Sequence, residues 1–359
     1  MSTEPSKPPD QWADVYRDGM STYEAFAHRI ERLIEELLQE KGLDYVQVEA
    51  RAKSVDSFVA KLARRPGKYL DPLKDMHDLA GVRIICYYLN DVARVGALIE
   101  QEFAVDGENS WSREERSDPD RFGYASDHYV VSCSSAREAL PEWNSYSGMR
   151  AEIQVRTVLQ HAWAAIDHKL AYKRASDVPK PLRRQLSRVS ALLEVGDEQF
   201  EAARSASERL DASYDARARA GEFDIPIDVA SLHAYLADND LVWGLADIAG
   251  SVGFKIESTS PTDGTGILVQ ACEAAAFGDV ASLDTFLRNA QQWAVRALQA
   301  VWEKRPGGVG WTMPIGFLVA TLVWIGTDIE LDSVQKTTQA DNFFIEALRA
   351  GRAAVARGD

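Results

Sequence analysis

From Ser21 to Glu40, apolar Phe26, Ile30, Leu33, Leu37 and Leu38 recur on one face at helical spacing, opposite a charged face. Ser54 to Arg65 predicts a second, short helix, stopped at Pro66-Gly67. Val82 to Leu89 (VRIICYYL) is β-branched and aromatic and predicts a buried strand. A helix over Asp91–Gln101 follows, with Asp91 placed to help its N-terminus, and Phe103–Val105 opens another strand. Residues 106–127 are polar and predict a long loop, a length that inside a domain is functional or disordered. His128–Ser134 and Arg150–Arg156 alternate as strands around a turn region at Trp143 and Gly148. Val158–Tyr172 and Pro179 to about Ala216 predict helices.

The second half is different in character. Ala230–Gly250, Asp279–Trp302, Pro314–Gly326 and Asn342–Ala356 all predict helices, and Val252–Thr265 reads as a linker or a short strand and turn. No internal repeat is visible. The change of character near 216–225 gives three parts: a polar, proline-rich disordered tail over 1–19, a mixed α/β domain over 20–216, and a mostly α-helical domain over 225–359 whose role the sequence does not name.

The most apolar run, PIGFLVATLVWIG, is shorter than the roughly 20 residues of a bilayer span and reads as a buried helix. With no signal peptide in view, the expectation is a soluble cytoplasmic protein without membrane contact. Cys86, Cys133 and Cys272 form no CxxC pair, so buried reduced thiols are expected and a structural zinc site is not. The net charge of -15 argues against a general nucleic-acid binder. That charge is uneven. Residues 51–180 carry 19 basic and 19 acidic side chains, against 16 and 25 over 181–359. A polyphosphate site needs local positive charge, and the middle third is where one could sit.

Four segments there carry candidate chemistry. Arg51, Lys53, Ser57, Lys61 and Arg64 put four cations on one side of a short helix and its lead-in. Asp78-Leu-Ala-Gly81-Val-Arg83 places a carboxylate at the mouth of a buried strand, where it can hold Mg²⁺, and a glycine beside it for close approach. Gly123-Tyr124-Ala125-Ser126-Asp127-His128 offers a loop tyrosine on which a base can stack. Glu152, Gln154 and Arg156 alternate onto one face of a strand, with Ile153 and Val155 on the other. Each segment alone also fits a solvated helix face or an ordinary loop.

Their order and spacing together resemble the synthetase domain of the RelA/SpoT family over about residues 20–205. The pattern R-x-K-x-x-x-S, D-L-A-G-V-R, G-Y-x-S-x-H and E-I-Q-V-R-T is followed by a helix carrying His161, Trp163, Asp167-His168 and Tyr172-Lys173. The resemblance implies a nucleotidyltransferase-like mixed sheet flanked by helices, and a transfer of pyrophosphate from ATP to the 3′-hydroxyl of GDP or GTP. It implies that Arg51 and Arg83 sandwich the adenine and that Lys53, Ser57, Lys61 and Arg64 bind the phosphates. Asp78 and Glu152 would hold Mg²⁺, with Glu152 also helping to deprotonate the acceptor. Tyr124 would stack on the acceptor base, and Ser126, His128, Gln154 and Arg156 would line the acceptor side.

Two departures bear on that acceptor. Ala125 stands where a cation is usual, and Asp127 replaces an apolar or aromatic residue; both are expected to border the acceptor pocket. They leave open a toxic relative that modifies tRNA 3′ ends or adenine nucleotides, with the C-terminal domain as a fused antitoxin or sensor. The overall acidity counts against a tRNA partner. A non-catalytic nucleotide sensor is a third reading. The long helix at 180–216 and the apolar C-terminal helices offer surfaces for a homo-oligomer of unspecified number.

Overall fold

A computed structural model describes residues 8–112, 126–170, 179–257, 264–304, 311–338 and 341–357. Helix α1 (Pro9–Glu40) is entered through a proline at its first turn, whose fixed φ suits that position. The helix therefore starts eleven residues inside the tail expected over 1–19. Tyr16 accounts for this: its ring is buried and stacks on Phe58 at 4.6 Å, a contact the polar composition of the segment conceals.

The chain continues through β1 (Gln47–Ala52), α2 (Val55–Arg64), α3 (Pro72–Asp75), β2 (Ala80–Cys86), α4 (Leu89–Glu102) and β3 (Phe103–Val105). After β4 (Asp127–Cys133) and α5 (Ser135–Glu138) come β5 (Ala151–Thr157), α6 (Val158–Leu170) and α7 (Lys180–Arg219). The five strands form one mixed sheet in the order β1-β2-β5-β4-β3, with β2 and β5 parallel and the other neighbours antiparallel. Strand alternation divides its two faces. Val48, Val82, Ile84, Ile153 and Val155 join Phe26, Ile30, Ile34 and Leu38 of α1 and Val95 and Ile99 of α4 in one buried core. The opposite face carries charge.

β1 was not foreseen, because Gln47-Val-Glu-Ala-Arg-Ala alternates polar and small residues rather than bulky apolar ones. Asp91 lies in the first turn of α4, as expected, but has a second role. It is buried and accepts from Arg204 at 2.7 Å, while Thr157 at the end of β5 donates to buried Asp197 at 2.7 Å. These two bonds fasten the first part of α7 to α4 and to the end of β5.

The chain divides into two compact units, 1–204 and 205–359. The division lies inside α7, upstream of the 216–225 composition change, which coincides with the end of that helix. The second unit comprises α8 (Val229–Ala237), α9 (Asp240–Val252), β6 (Lys255–Glu257), α10 (Thr265–Ala274), α11 (Val280–Ala290), α12 (Ala294–Glu303), β7 (Thr312–Pro314), α13 (Ile315–Gly326), α14 (Leu331–Thr338) and α15 (Asn342–Ala356). β6 and β7 pair in parallel. The helix expected over 230–250 is two, because the Asn239 side chain accepts from the Leu241 and Val242 amides and starts α9 afresh. That expected over 279–302 is likewise two, α11 and α12. The apolar run over 314–326 is the buried helix α13. No helix among the described residues is long and apolar enough to cross a membrane, and all three cysteines are buried and free.

Candidate active site

On the charged face of the sheet, strand register sets side chains in two rows. Arg51, Gly81 and Glu152 lie opposite one another across β1, β2 and β5, and Glu49, Arg83, Gln154 and His128 form the next row across β1, β2, β5 and β4. Apart from His128, both rows open into a cleft of about 330 Å³ that is also lined by Lys53, Ser54, Ser57 and Asp78. Arg51, Lys53, Ser57, Asp78, Arg83, Glu152 and Gln154, each singled out from sequence, therefore meet in one place.

Lys53 sits just past the end of β1. Its carbonyl accepts from the Tyr16 hydroxyl at 2.6 Å and its amide donates to Leu79 at 2.9 Å, so its backbone is held from both sides. The Lys53 ammonium donates to Asp78 Oδ2 at 2.7 Å, and Lys61, from α2, reaches the same oxygen at 2.8 Å. Oδ1 of Asp78 is buried without a hydrogen-bond partner. Burial raises the Asp78 pKa, but the bonds from Lys53 and Lys61 outweigh it and leave the carboxyl below its ordinary value. Helix α2 starts at the cleft, where the Ser54 hydroxyl caps it by accepting from the Ser57 amide. A helix N-terminus with two serines and two lysines beside it suits an anion.

Glu152 is the centre of a second network. His128 Nδ1 lies 3.1 Å from Oε1, and Gln154 Nε2 donates to Oε2 at 2.9 Å. The Gln154 carbonyl in turn accepts from Arg156. Ser126 Oγ is 3.2 Å from His128 Nε2, and Trp111 stacks on the imidazole at 4.3 Å while exchanging two backbone bonds with the same residue. Burial raises the Glu152 pKa and the nearby Asp78 charge adds to that. The bonds from His128 and Gln154 prevail, and the carboxyl lies below its usual value. An ionised Glu152 only accepts, so the bonded Nδ1 carries the proton.

The arginines crowd one another. Burial, with Arg83 and Arg51 nearby, pushes Arg156 down to about 10, and burial with Arg51 lowers Arg83. Arg83 is partly relieved by Glu49, whose carboxylate it meets at 2.9 Å. The Nε atoms of Arg83 and Arg156 are buried without partners. Partly buried cations with unused donors, held close together, fit a site whose ligand brings negative charge or an aromatic face.

Not every expected residue joins the cleft. Arg64, one turn beyond Lys61, is exposed and does not line it. Tyr124 and Ala125, like Tyr172 and Lys173, lie outside the described residues. Asp127 is a correction: its register partner is Val155, so it belongs to the opposite face, beside Tyr129 and Val92 of α4. Glu49, Ser54 and Trp111 were not singled out from sequence. Glu49 could have been found by extending the Arg51 alternation two residues back, whereas nothing local marks Trp111.

Among the described residues no group of three or more His, Cys, Asp or Glu side chains could hold a metal by itself. Mg²⁺ asks for less, since it binds through one or two carboxylates and completes its shell with water and phosphate oxygens. Asp78 and Glu152 in one cleft, with Asp78 Oδ1 unclaimed, fit that demand.

The chain matches known proteins in this region. A family profile described as "Region found in RelA / SpoT proteins" covers residues 50–177. The chain is 31% identical over 153 residues to the GTP pyrophosphokinase YwaC of Bacillus subtilis (strain 168), covering 42% of this chain and 70% of that protein. Identity to the GTP pyrophosphokinase YjbM of the same organism is 29% over 180 residues, covering 49% of this chain and 79% of that one. The crystal structure of the small alarmone synthetase 1 from Bacillus subtilis aligns with a TM-score of 0.44 at 22% identity, covering 55% of this chain and 99% of that one.

Proposed function

The chain belongs to the RelA/SpoT family, and we propose that its first unit transfers pyrophosphate from ATP to the 3′-hydroxyl of GDP or GTP, making (p)ppGpp and releasing AMP. The observation that carries this reading is the meeting of Asp78 and Glu152 in a cleft that also holds the cations Arg51, Lys53 and Arg83. Two relatives of which the chain spans more than two thirds are GTP pyrophosphokinases, which supports the same reaction here.

The chemistry suits these residue types. The acceptor 3′-oxygen forms a bond to the β-phosphorus of ATP. The bond between that phosphorus and the oxygen bridging it to the α-phosphorus breaks, its electron pair leaves with AMP, and the hydroxyl proton passes to Glu152. Such a displacement depends on alignment and charge neutralisation rather than on a covalent nucleophile. Lys53 and Lys61 trade Asp78 for donor phosphates, and the N-terminus of α2 with Ser57 takes a further phosphate oxygen. Arg51 and Arg83 lay their guanidinium planes against the adenine. His128 and Gln154 keep Glu152 ionised and aimed. Ser126, His128, Gln154 and Arg156 face the acceptor. A Mg²⁺ ion held by Asp78 and Glu152 would neutralise charge on the transferring phosphates.

The turned-away Asp127 removes one of the two reasons for doubting a guanine acceptor. Incubation with ATP, Mg²⁺ and GDP, followed by anion-exchange chromatography, tests the proposal. Guanosine 3′,5′-bis-diphosphate and AMP are expected in equal amounts, and the appearance of neither would refute it.

A further inference from the structure

We infer that Glu49 reads the base of the pyrophosphate donor and selects adenine over guanine. The inference rests on the cleft binding a nucleotide donor as proposed above, and it assigns a residue that lies outside the family motifs.

The cleft has a direction. Lys53 and the start of α2 stand at one end, Asp78 and Glu152 follow, and Glu49 lies four residues back along β1 from Lys53. Four residues of strand span roughly 13 Å. A nucleoside triphosphate laid along β1 with its phosphates at Lys53 and Ser57 brings its base to the row of Glu49 and Arg83. Arg51 and Arg83 supply flat cations there, and stacking on them holds any base without discrimination. Discrimination needs a group that meets the base edge.

Glu49 is that group. Its Oε2 accepts from Arg83 at 2.9 Å, which fixes the carboxylate beside the stacking plane, and its side chain lines the cleft while remaining 45% exposed. A carboxylate only accepts hydrogen bonds. Adenine presents an amino group at its 6-position, a donor that Glu49 can take. Guanine presents a carbonyl oxygen at that position, and its lone pairs would face the negative charge. Where the 6-position faces it, one residue thus both favours ATP and opposes GTP, a specificity made from a repulsive as well as an attractive contact; the N1–H and 2-amino donors of guanine would reach the carboxylate only with the base turned to its other edge. In an enzyme whose acceptor is a guanine nucleotide, that keeps acceptor molecules out of the donor site.

Glu49→Gln separates this from a plain ion pair. The glutamine carbonyl can still accept from Arg83, but its amide now donates toward the base. The full-length chain would be assayed with ATP or GTP as donor at saturating GDP. Binding of the α,β-methylene analogues of ATP and GTP would be measured by calorimetry, also with GDP saturating so that the acceptor site is filled. The wild type should prefer the adenine donor, and the variant should lose at least about tenfold of that preference, the scale of a lost bond to a charged group. The KM for GDP and the thermal midpoint should stay as in the wild type. An unchanged donor preference in Glu49→Gln overturns the inference, as does a wild type that binds both analogues equally. If the wild type binds the ATP analogue selectively through Glu49 but transfers nothing, Glu49 keeps its role and the reaction assignment fails instead.

Discussion

The Lys53 ammonium donates to Oδ2 of Asp78 at 2.7 Å, Lys61 shares that oxygen at 2.8 Å, and Oδ1 of the same carboxylate is buried with no partner. Two cations on one oxygen and none on the other describe a carboxylate only half used by the protein. Asp78→Asn keeps the shape and removes the charge. It should lower kcat by about a hundredfold or more, the scale of losing one preorganised electrostatic contact. The Mg²⁺ concentration needed for half-maximal rate should rise as well. Rates titrated with Mg²⁺ check both, and wild-type values would remove Asp78 from the site.

The same network has a pH signature. Burial raises the Asp78 pKa and the lysine bonds lower it further than burial raises it, so the folded value lies below the unfolded one. Stability from its ionisation is therefore fully present above the unfolded carboxyl pKa of about 3.9 and is lost as pH falls through the folded value. The gap in thermal midpoint between wild type and Asp78→Asn should change little from pH 7 to pH 5 and then shift against the wild type toward pH 3. Calorimetric scans across that range check it. A gap independent of pH down to pH 3 would contradict the bonding drawn here.

Gly81 faces the cleft between Arg51 and Glu152. A Cβ there would meet the Arg51 and Glu152 carbonyl oxygens at 3.7 and 3.9 Å, which is ordinary contact. Gly81→Ala should therefore fold with a midpoint close to that of the wild type, while the added methyl takes cleft volume and raises the KM for ATP several-fold. Scanning calorimetry and initial rates separate the two effects. A large loss of stability with unchanged KM would mean the glycine serves packing.

Tyr16 joins the N-terminal helix to the site through its 2.6 Å bond to the Lys53 carbonyl. Tyr16→Phe keeps the stack on Phe58 and loses one hydrogen bond, which should cost about 1 kcal/mol of unfolding free energy. Because Lys53 loses an anchor, ATP affinity should fall too. Urea unfolding and a binding titration test both parts, and a change in stability without one in affinity would confine Tyr16 to packing.

Much of the first unit was legible because strand alternation and charge agreed. Glu152, Gln154 and Arg156 against Ile153 and Val155 already implied one wet face and one buried face, and the register places them so. What escaped depends on partners distant in sequence. Pro9–Gly19 is polar, and only the docking of Tyr16 on Phe58 makes it part of the fold. Asp91 reads as a helix-start carboxylate and is one, but nothing local shows that Arg204, 113 residues on, also binds it. Asp127 was read as a pocket residue from its place in a motif. Facing is set by period-two alternation, and being one residue from His128 puts Asp127 on the other side of the sheet. Trp111 is invisible locally because its meaning lies in the ring of His128.

The most direct test of the central claim follows the label from γ-³²P-ATP in the presence of Mg²⁺ and GDP, in the wild type and in Glu152→Ala side by side. The wild type should move label into guanosine 3′,5′-bis-diphosphate with unlabelled AMP released in step, and the folded variant should move none. Label that stays in ATP or appears only as inorganic phosphate with the wild type would contradict the account. So would a Glu152→Ala protein that transfers at the wild-type rate.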